Sequence, residues 1–213
     1  MTQKERKERS RREILRAATE EFGKKDYGSV TMDSICANHG ISKGMMYHYF
    51  SGKDALFLAC VGEIFRALDH YLSQRPESVL QGDPGEAVRS YFQARMTYFQ
   101  EYPEQRGLFE AAVLHPPAHL KAQIVELRAP LRERNMAFLK EVAGRLPLRK
   151  QVTPELAALY LERIARLFWP LTELCREEGR ALDLPTMLEE FGRLLDLILF
   201  GIAQQGAQEE DEG

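Results

Sequence analysis

The stretch GISKGMMYHYFSGKDALF, residues 40–57, sets a helix-start signal beside a row of aromatic side chains. Tyr47, His48 and Tyr49 follow one another, and Lys53 comes shortly after them. A helix packed against a core keeps its apolar residues on one face, and a helix surrounded by water carries few of them. We therefore expect the exposed face of this segment to contact something other than water.

Capping signals around this stretch predict two short helices joined by a tight turn. Thr31 is placed as the N-cap of a helix that runs to about Asn38. Gly40 ends that helix, because glycine just past a helix readily adopts the left-handed conformation. Ser42 is the next N-cap, for a helix over 43–50. This order predicts a helix-turn-helix. The apolar residues expected between and beneath the two helices are Ile35, Ile41, Met46 and Phe50.

The start of the second helix has the chemistry of a major-groove reader. In a helix-turn-helix the N-terminal residues of that helix reach base edges. Lys43 can donate to the O6 and N7 atoms of guanine, and the free amides after Ser42 can bind a phosphate. Gly44 costs about 1 kcal/mol relative to alanine, but lets the helix backbone lie close to DNA. The side chains placed to reach phosphates are Tyr47, His48, Tyr49 and Lys53.

A structural interpretation of the same residues is the alternative. Tyr47 and Tyr49 could pack on the first helix as boundary residues, and Lys53 could be a solvated lysine. The ordered set of cap, lysine, glycine, aromatic residues and second lysine favours DNA binding over this alternative.

Residues 14–57, ILRAATEEFGKKDYGSVTMDSICANHGISKGMMYHYFSGKDALF, resemble the N-terminal DNA-binding domain of the tetracycline-repressor (TetR/AcrR) family of bacterial transcriptional regulators. The residues that carry the resemblance are Ala17, Ala18, Phe22, Tyr27, Thr31, Ile35, Gly40, Ser42, Lys43, Gly44, Tyr47, Tyr49, Phe50, Lys53, Leu56 and Phe57. The resemblance implies a three-helix DNA-binding head, a fourth helix that links it to a helical ligand-binding and dimerisation body, and a homodimer on a palindromic operator.

The resemblance also implies the residues that touch DNA. They are Thr31, Ser42, Lys43, Gly44, Tyr47, His48, Tyr49 and Lys53. Two positions depart from the family pattern. Met45 stands where a small or hydroxylated residue is usual, and Met46 replaces a leucine with a side chain of similar volume.

Composition and charge agree with a small DNA-binding head on a different, larger module. Residues 1–55 contain 11 Lys+Arg against 8 Asp+Glu, a net charge of +3, which leaves −6 for the rest of the chain. Three separated cysteines without a CxxC pair argue against a disulfide framework or a zinc knuckle. The basic N-terminus lacks the apolar core of a signal peptide, so we expect a cytoplasmic protein.

Helical periodicity dominates the 213 residues and predicts an all-α fold of about nine helices. The first helix is expected to begin near Ser10, and a long linking helix is expected over 53–75. Further helices are predicted at 84–101, 103–114, 117–145, 153–178 and 184–203, with a kink near Pro170. The predicted domains are 1–52 for DNA binding, 53–203 for regulation and dimerisation, and an acidic, disordered tail at 204–213.

The last two predicted helices carry more apolar surface than one core requires. We therefore predict that they pair with their copies as a four-helix dimer interface. The alternative is a buried helix in a monomer. The predicted interface residues are Leu156, Tyr160, Ile164, Leu167, Leu171, Leu188, Phe191, Leu195, Ile198 and Ile202.

Aromatic and methionine residues in the body are usually core, but the family resemblance implies that they also line a ligand pocket, and such pockets are mostly apolar. The predicted pocket residues are Phe92, Met96, Phe99, Tyr102, Phe109, His115, Phe138, Tyr160, Phe168 and Trp169. Candidate polar anchors are Arg95, Arg106, His115, His119 and Arg128. The effector expected for such a pocket is a small hydrophobic or aromatic molecule.

The function predicted from these features is a ligand-responsive transcriptional repressor that binds duplex DNA as a homodimer and releases it when an effector binds. A second hypothesis keeps the DNA binding but has no small-molecule sensor, with control by a partner protein or an architectural role. An enzyme is the third. It would need a nucleophile, a base and an orienting group, and the cysteines and histidines form no such motif. We expect no catalytic residue, metal site, cofactor or membrane partner.

Overall fold

A computed structural model describes residues 2–74, 82–165, 193–194 and 197 of the chain. Within these ranges eight α-helices follow one another: α1 (Gln3–Lys24), α2 (Met32–His39), α3 (Lys43–Tyr49), α4 (Lys53–Ser73), α5 (Pro84–Glu101), α6 (Pro103–Leu114), α7 (Lys121–Ala143) and α8 (Pro154–Ala165). Short 3-10 turns at Tyr27–Ser29 and Ala118–Leu120 precede α2 and α7. The predicted all-α fold is confirmed. Among the helices so described, none is long and apolar enough to cross a membrane.

Helix α1 starts earlier than the sequence predicts. It begins at Gln3, so the expected start near Ser10 is wrong. Thr2 accepts a hydrogen bond from the Glu5 amide, and the Glu5 carboxylate accepts one from the Thr2 amide, which completes a capping box. Apolar residues recur at helical spacing only from Ile14 onward. The residues before Ile14 are stabilised by the capping box and by strong helix formers, so the apolar pattern does not reveal them.

The described contacts divide the chain into two compact units. The first comprises Met1–Ser73 with Thr97–Leu131, and the second comprises Gln74–Met96 with Arg132–Gly213. The domain limits predicted from the sequence stay predictions. The kink near Pro170 and the helix predicted over 184–203 fall mostly or entirely outside the described residues, and the tail at 204–213 lies wholly outside them.

In the first unit, α1 is the central helix. It packs most extensively against α6, then against α4, and also contacts α2 and α3. Each large apolar side chain buried there stabilises the fold by about 1.5–3 kcal/mol. Fully buried members of this core are Ile14, Ala18, Ile35, Met46, Leu56, Phe57, Leu68, Phe99 and Leu108.

A pair of glycines lets α1 and α6 approach closely. A Cβ atom on Gly107 would lie 2.1 Å from the Gly23 carbonyl oxygen, and one on Gly23 would lie 2.3 Å from the Glu104 carbonyl oxygen. Real Cβ atoms essentially never come within 3.0 Å of such atoms. The crossing of α1 over α6 therefore requires glycine on both helices.

The second unit has its own apolar core, to which residues 84–96 of α5, residues 132–143 of α7, and α8 contribute. The buried members are Ala87, Val88, Tyr91, Phe92, Met96, Leu139, Val142, Ala143, Ala157, Ala158 and Leu161.

Candidate nucleic-acid interface and effector site

Helices α2 and α3 form the predicted helix-turn-helix, and its caps are confirmed. The Thr31 hydroxyl accepts from the Ser34 amide at 3.0 Å, and the Ser42 hydroxyl accepts from the Met45 amide at 3.1 Å. Gly40 lies at φ 66°, ψ 24°, the left-handed conformation that ends α2. A side chain there would be strained, because L-residues rarely adopt that backbone conformation. The turn that orients α3 therefore depends on Gly40.

Helix α3 has one buried face and one open face. Met46 is completely buried, while Lys43, Gly44 and His48 are exposed and Tyr47 exposes 53% of its surface. Nothing lies within 4 Å of a Cβ atom placed on Gly44. An exposed tyrosine beside an exposed lysine and an open glycine is a surface suited to contact another molecule.

The remaining aromatic and capping residues border this face. Tyr49 is half-buried, and its ring meets the His48 ring edge-on at 5.0 Å between centroids. Thr31 and Ser42 are exposed caps at the starts of α2 and α3. The structure thus brings seven of the eight predicted DNA contacts to α3 and the two caps. Their contact with DNA itself stays a prediction.

Lys43 is held by an acidic neighbour that sequence reasoning did not single out. Its ammonium group lies 2.7 Å from the Asp33 carboxylate of α2, and both side chains are exposed. The hydrogen bond and the charge of Asp33 raise the pKa of Lys43. Lys43 is therefore paired within the helix-turn-helix, and its predicted contact with DNA would compete with Asp33.

Lys53, the eighth predicted contact, has an internal role. Its ammonium group donates to the carbonyl oxygens of Tyr27 at 2.9 Å and Val30 at 3.0 Å. It also lies 4.2 Å from the centroid of the Tyr27 ring, a cation–π geometry. These contacts tie the start of α4 to the loop before α2. Since an ammonium group has three donors, the predicted phosphate contact is compatible with this role and stays a prediction.

Asp54 joins three parts of the first unit. Its carboxylate accepts a hydrogen bond from the Tyr27 hydroxyl and lies 3.1 Å from Nε2 of His119. The Tyr27 hydrogen bond, followed by His119, lowers the pKa of Asp54. Burial and this carboxylate raise the pKa of Tyr27. These contacts hold the turn before α7 against the loop before α2.

Glu21 connects α1 to α2 from a buried position. Its carboxylate accepts from the Lys25 ammonium at 2.6 Å and from the side-chain amide Nδ2 of Asn38 at 2.9 Å, and Nε2 of His39 lies 3.3 Å away. The Lys25 hydrogen bond contributes most to a lowered pKa, against the opposing effect of burial. A buried carboxylate with these partners fixes the position of α2 relative to α1.

Comparison with known proteins agrees with this geometry. Residues 14–60 match the family model described as bacterial regulatory proteins, tetR family. The N-terminal domain is of the TetR family. The matched segment runs from the buried part of α1 through the helix-turn-helix into α4. It therefore includes all eight predicted DNA contacts of this TetR-type domain.

Relatives and solved structures extend the similarity. The chain is 36% identical over 63 residues to the HTH-type transcriptional regulator BetI of Brucella anthropi, which covers 30% of this chain and 32% of that protein. It is 25% identical over 132 residues to YxaF of Bacillus subtilis, an uncharacterized HTH-type transcriptional regulator, covering 62% and 64%. The structure of FadR from Bacillus subtilis in complex with stearoyl-CoA is similar at a TM-score of 0.66 and 13% identity, over 89% and 98% of the two chains. That last likeness shows the fold alone.

The predicted pocket residues belong to both compact units. In the first unit, the rings of Phe99 and Phe109 lie 4.8 Å apart, Tyr102 precedes α6 at the surface, and His115 is exposed at its end. In the second, Phe92 and Met96 are buried, Phe138 is half-buried, and Tyr160 is exposed. Phe168 and Trp169 lie outside the described residues. One shared pocket therefore stays a prediction.

The first unit also has two clefts lined by other side chains. Their volumes are about 460 and 480 Å³. Charged residues make up five of the ten residues that line the first cleft and three of the eight that line the second, more than the few polar anchors expected of the apolar pocket predicted from the sequence. Charged members of these linings are Arg11, Arg12, Arg16, Glu63, Arg66, Glu104 and Glu126.

Of the predicted dimer residues, three lie in α8. Leu156 and Ile164 are half-buried, and Tyr160 exposes 42% of its surface between them on the same helix face. The other seven, Leu167, Leu171, Leu188, Phe191, Leu195, Ile198 and Ile202, lie outside the described residues. The dimer interface stays a prediction.

Proposed function

We propose that this protein is a transcriptional repressor that binds a palindromic DNA operator as a homodimer and is released by a small hydrophobic or aromatic effector. The observation that carries the DNA-binding part is the two-faced α3. Met46 is completely buried, while Lys43, Gly44 and Tyr47 are open on the other side. The TetR-family match over residues 14–60 supports the same assignment.

Binding as a two-fold pair would place one α3 in each of two successive major grooves. Such dimers bind half-sites about 34–36 Å apart. An effector that favours a different separation of the two α3 helices weakens operator binding, and by linkage the operator weakens effector binding by the same factor. The partly exposed Leu156, Tyr160 and Ile164 face of α8 supports the homodimer.

The effector class follows from the aromatic character of the predicted pocket. Apolar pockets with a few polar anchors bind molecules that are largely hydrophobic. FadR, a protein of similar fold, was solved in complex with stearoyl-CoA, a ligand with a long hydrophobic chain. An effector screen should therefore include acyl-CoA thioesters together with small aromatic compounds.

The DNA-binding part is tested by selecting duplexes from a random-sequence pool on the full chain. We expect a palindrome whose half-site centres are one helical turn apart. Lys43→Ala should weaken binding to it by about 1–3 kcal/mol per half-site and relax base preference there. Lys140→Ala is a matched control, because Lys140 is also an exposed lysine paired with a carboxylate, Glu155, at 2.6 Å. If the Lys43→Ala and Lys140→Ala variants bound the selected duplex equally well, the assignment of α3 as the DNA-contacting helix would be contradicted.

The homodimer and the sensor need separate measurements. Sedimentation at micromolar concentration should show a species of twice 24.5 kDa, and a monomer alone would contradict the dimer. A thermal-shift screen should find at least one small molecule that both stabilises the protein and releases the selected duplex. Stabilisation by no compound would favour control by a partner protein or an architectural role.

A further inference from the structure

The core of the second unit contains a buried carboxamide with an unused donor. Asn135 of α7 is 1% exposed, and its Oδ1 atom accepts a hydrogen bond from the Tyr91 hydroxyl of α5. Its Nδ2 atom is shielded from solvent and has no hydrogen-bond partner among the residues that the structure describes. Asn135 is not among the anchors suggested by the sequence.

An unpaired buried amide is unusual enough to require an explanation. Buried polar atoms are almost always hydrogen-bonded, because an unpaired one loses its bonds to water and gains none in the protein. Leu131 and Leu139 lie one turn before and after Asn135 on α7, and both are buried. A third leucine would continue that apolar face without an unpaired donor. The hydrogen bond from the Tyr91 hydroxyl accounts for an acceptor at this position, but neither that bond nor packing accounts for the unpaired Nδ2 donor.

Two aromatic rings contact the ring of Tyr91, whose hydroxyl donates to Asn135. The Tyr91 ring is stacked on the Phe138 ring, with centroids 4.2 Å apart and planes at 17°, and meets the Phe92 ring edge-on at 5.9 Å. Phe138 is half-buried, whereas Tyr91 is 7% exposed. Because the Tyr91 hydroxyl is bound to the same carboxamide, a flat apolar group at the hydroxyl end of the Tyr91 ring would lie near the Asn135 donor.

We propose that Nδ2 of Asn135 is the polar anchor of the effector site, and that it binds an acceptor oxygen, such as a carbonyl, on a neutral ligand with a flat apolar group. This inference rests on the proposed effector-controlled function. Because Oδ1 already accepts from the Tyr91 hydroxyl, Asn135 offers a ligand only the neutral Nδ2 donor, which suits a neutral acceptor. A buried carboxylate would need several donors or an opposite charge.

The ligand must displace some side chains to reach Nδ2, because the atom is shielded in this structure. A buried water could satisfy the same donor, since buried waters bind such groups in many proteins. A water would give no preference between a ligand with an acceptor and one of the same shape without it. This difference makes the two explanations separable.

The experiment uses the full chain and two probes, acetophenone and α-methylstyrene, in which a methylene group replaces the carbonyl oxygen. Binding is followed by nuclear magnetic resonance of the side-chain amide protons, with the Asn135 signals identified by their loss in Asn135→Leu. We expect acetophenone to bind about tenfold more tightly and to shift these signals, as one added hydrogen bond would give. Asn135→Leu should remove the preference, and Tyr91→Phe should keep it because Nδ2 remains.

Equal affinity for the two probes, or unshifted Asn135 signals up to the solubility limit of acetophenone, would overturn the assignment. If Asn135→Leu does not fold, the Asn135 signals are identified by sequential resonance assignment of the wild-type protein. The wild type and Tyr91→Phe then still decide, through the preference for acetophenone and the shift of these signals. Retention of the selected operator is measured on the same samples. If the protein binds the selected operator but shows no preference for acetophenone, only the role of Asn135 as an anchor is overturned. If it prefers acetophenone but does not bind the operator, only the proposed DNA binding is overturned.

Discussion

Replacing Gly107 by alanine should destabilise the first unit through a backbone clash. The new Cβ atom would lie 2.1 Å from the carbonyl oxygen and 2.9 Å from the carbonyl carbon of Gly23. Both are main-chain atoms of α1, so no side-chain rotation relieves the contact. Restoring a separation of 3.0 Å or more requires α1 and α6 to move apart by about 1 Å, in an interior packed as densely as an organic crystal.

The expected magnitude is a difference of two effects. Overpacking a close-packed interface costs up to about 3 kcal/mol. Alanine in a helix interior is about 1 kcal/mol more favourable than glycine. The net loss is about 2 kcal/mol, which for a chain of this size lowers the Tm by about 4–8 °C.

Far-UV circular dichroism during thermal unfolding measures this change. Gly44→Ala is the control, because nothing lies within 4 Å of its Cβ position and α3 should gain from alanine. Its Tm should equal or exceed that of the wild type, while its operator binding should fall if the backbone of α3 lies against DNA. A Gly107→Ala protein as stable as the wild type would refute the close approach of α1 and α6.

Three further changes test the polar contacts of the first unit. Lys53→Met should lower the free energy of unfolding in urea by about 1–3 kcal/mol, because it removes two hydrogen bonds and a cation–π contact. The control, Lys24→Met on the surface of α1, should change this free energy by less than about 0.5 kcal/mol. Equal losses in the two variants would contradict the internal role of Lys53. Asp33→Asn should strengthen operator binding in gel-shift titrations, because it removes a negative charge beside Lys43; weaker binding would show that Asp33 positions Lys43 instead. Glu21→Gln should lower the stability of the protein near neutral pH and make the loss of stability below pH 4.5 less steep. The reason is that a carboxylate with a lowered folded-state pKa contributes stability that is lost as it becomes protonated. If calorimetry showed the same dependence of stability on acid pH in the variant and the wild type, this role of Glu21 would be contradicted.

Much of the helix-turn-helix follows from local sequence. Thr31 and Ser42 accept hydrogen bonds from amides three residues later, so the interactions that start α2 and α3 are contained in a few neighbouring positions. Gly40 ends α2 through its own backbone conformation. The apolar period then assigns Ile35 and Met46 to the core. These features could be predicted because each depends on residues within one or two turns.

The start of α1 shows the limit of the apolar period. Helix residues before Ile14 bury no apolar face, so periodicity gives no signal for them. Their helix depends on the capping box of Thr2 and Glu5. The sequence does mark Asn135, because it is a polar residue between Leu131 and Leu139 on the buried face of α7. Sequence identifies that interruption but not its partner.

The sequence by itself determined the helical fold class, the caps and turn of the helix-turn-helix, and the open side of α3. Tertiary structure decided that Lys53 binds carbonyl oxygens 26 and 23 residues earlier in the chain, and that Tyr91 donates to Asn135, 44 residues away. It also decided that Gly23 meets Gly107. The physical reason is range: caps and periods act within a few residues, whereas these contacts exist only after packing brings distant segments together.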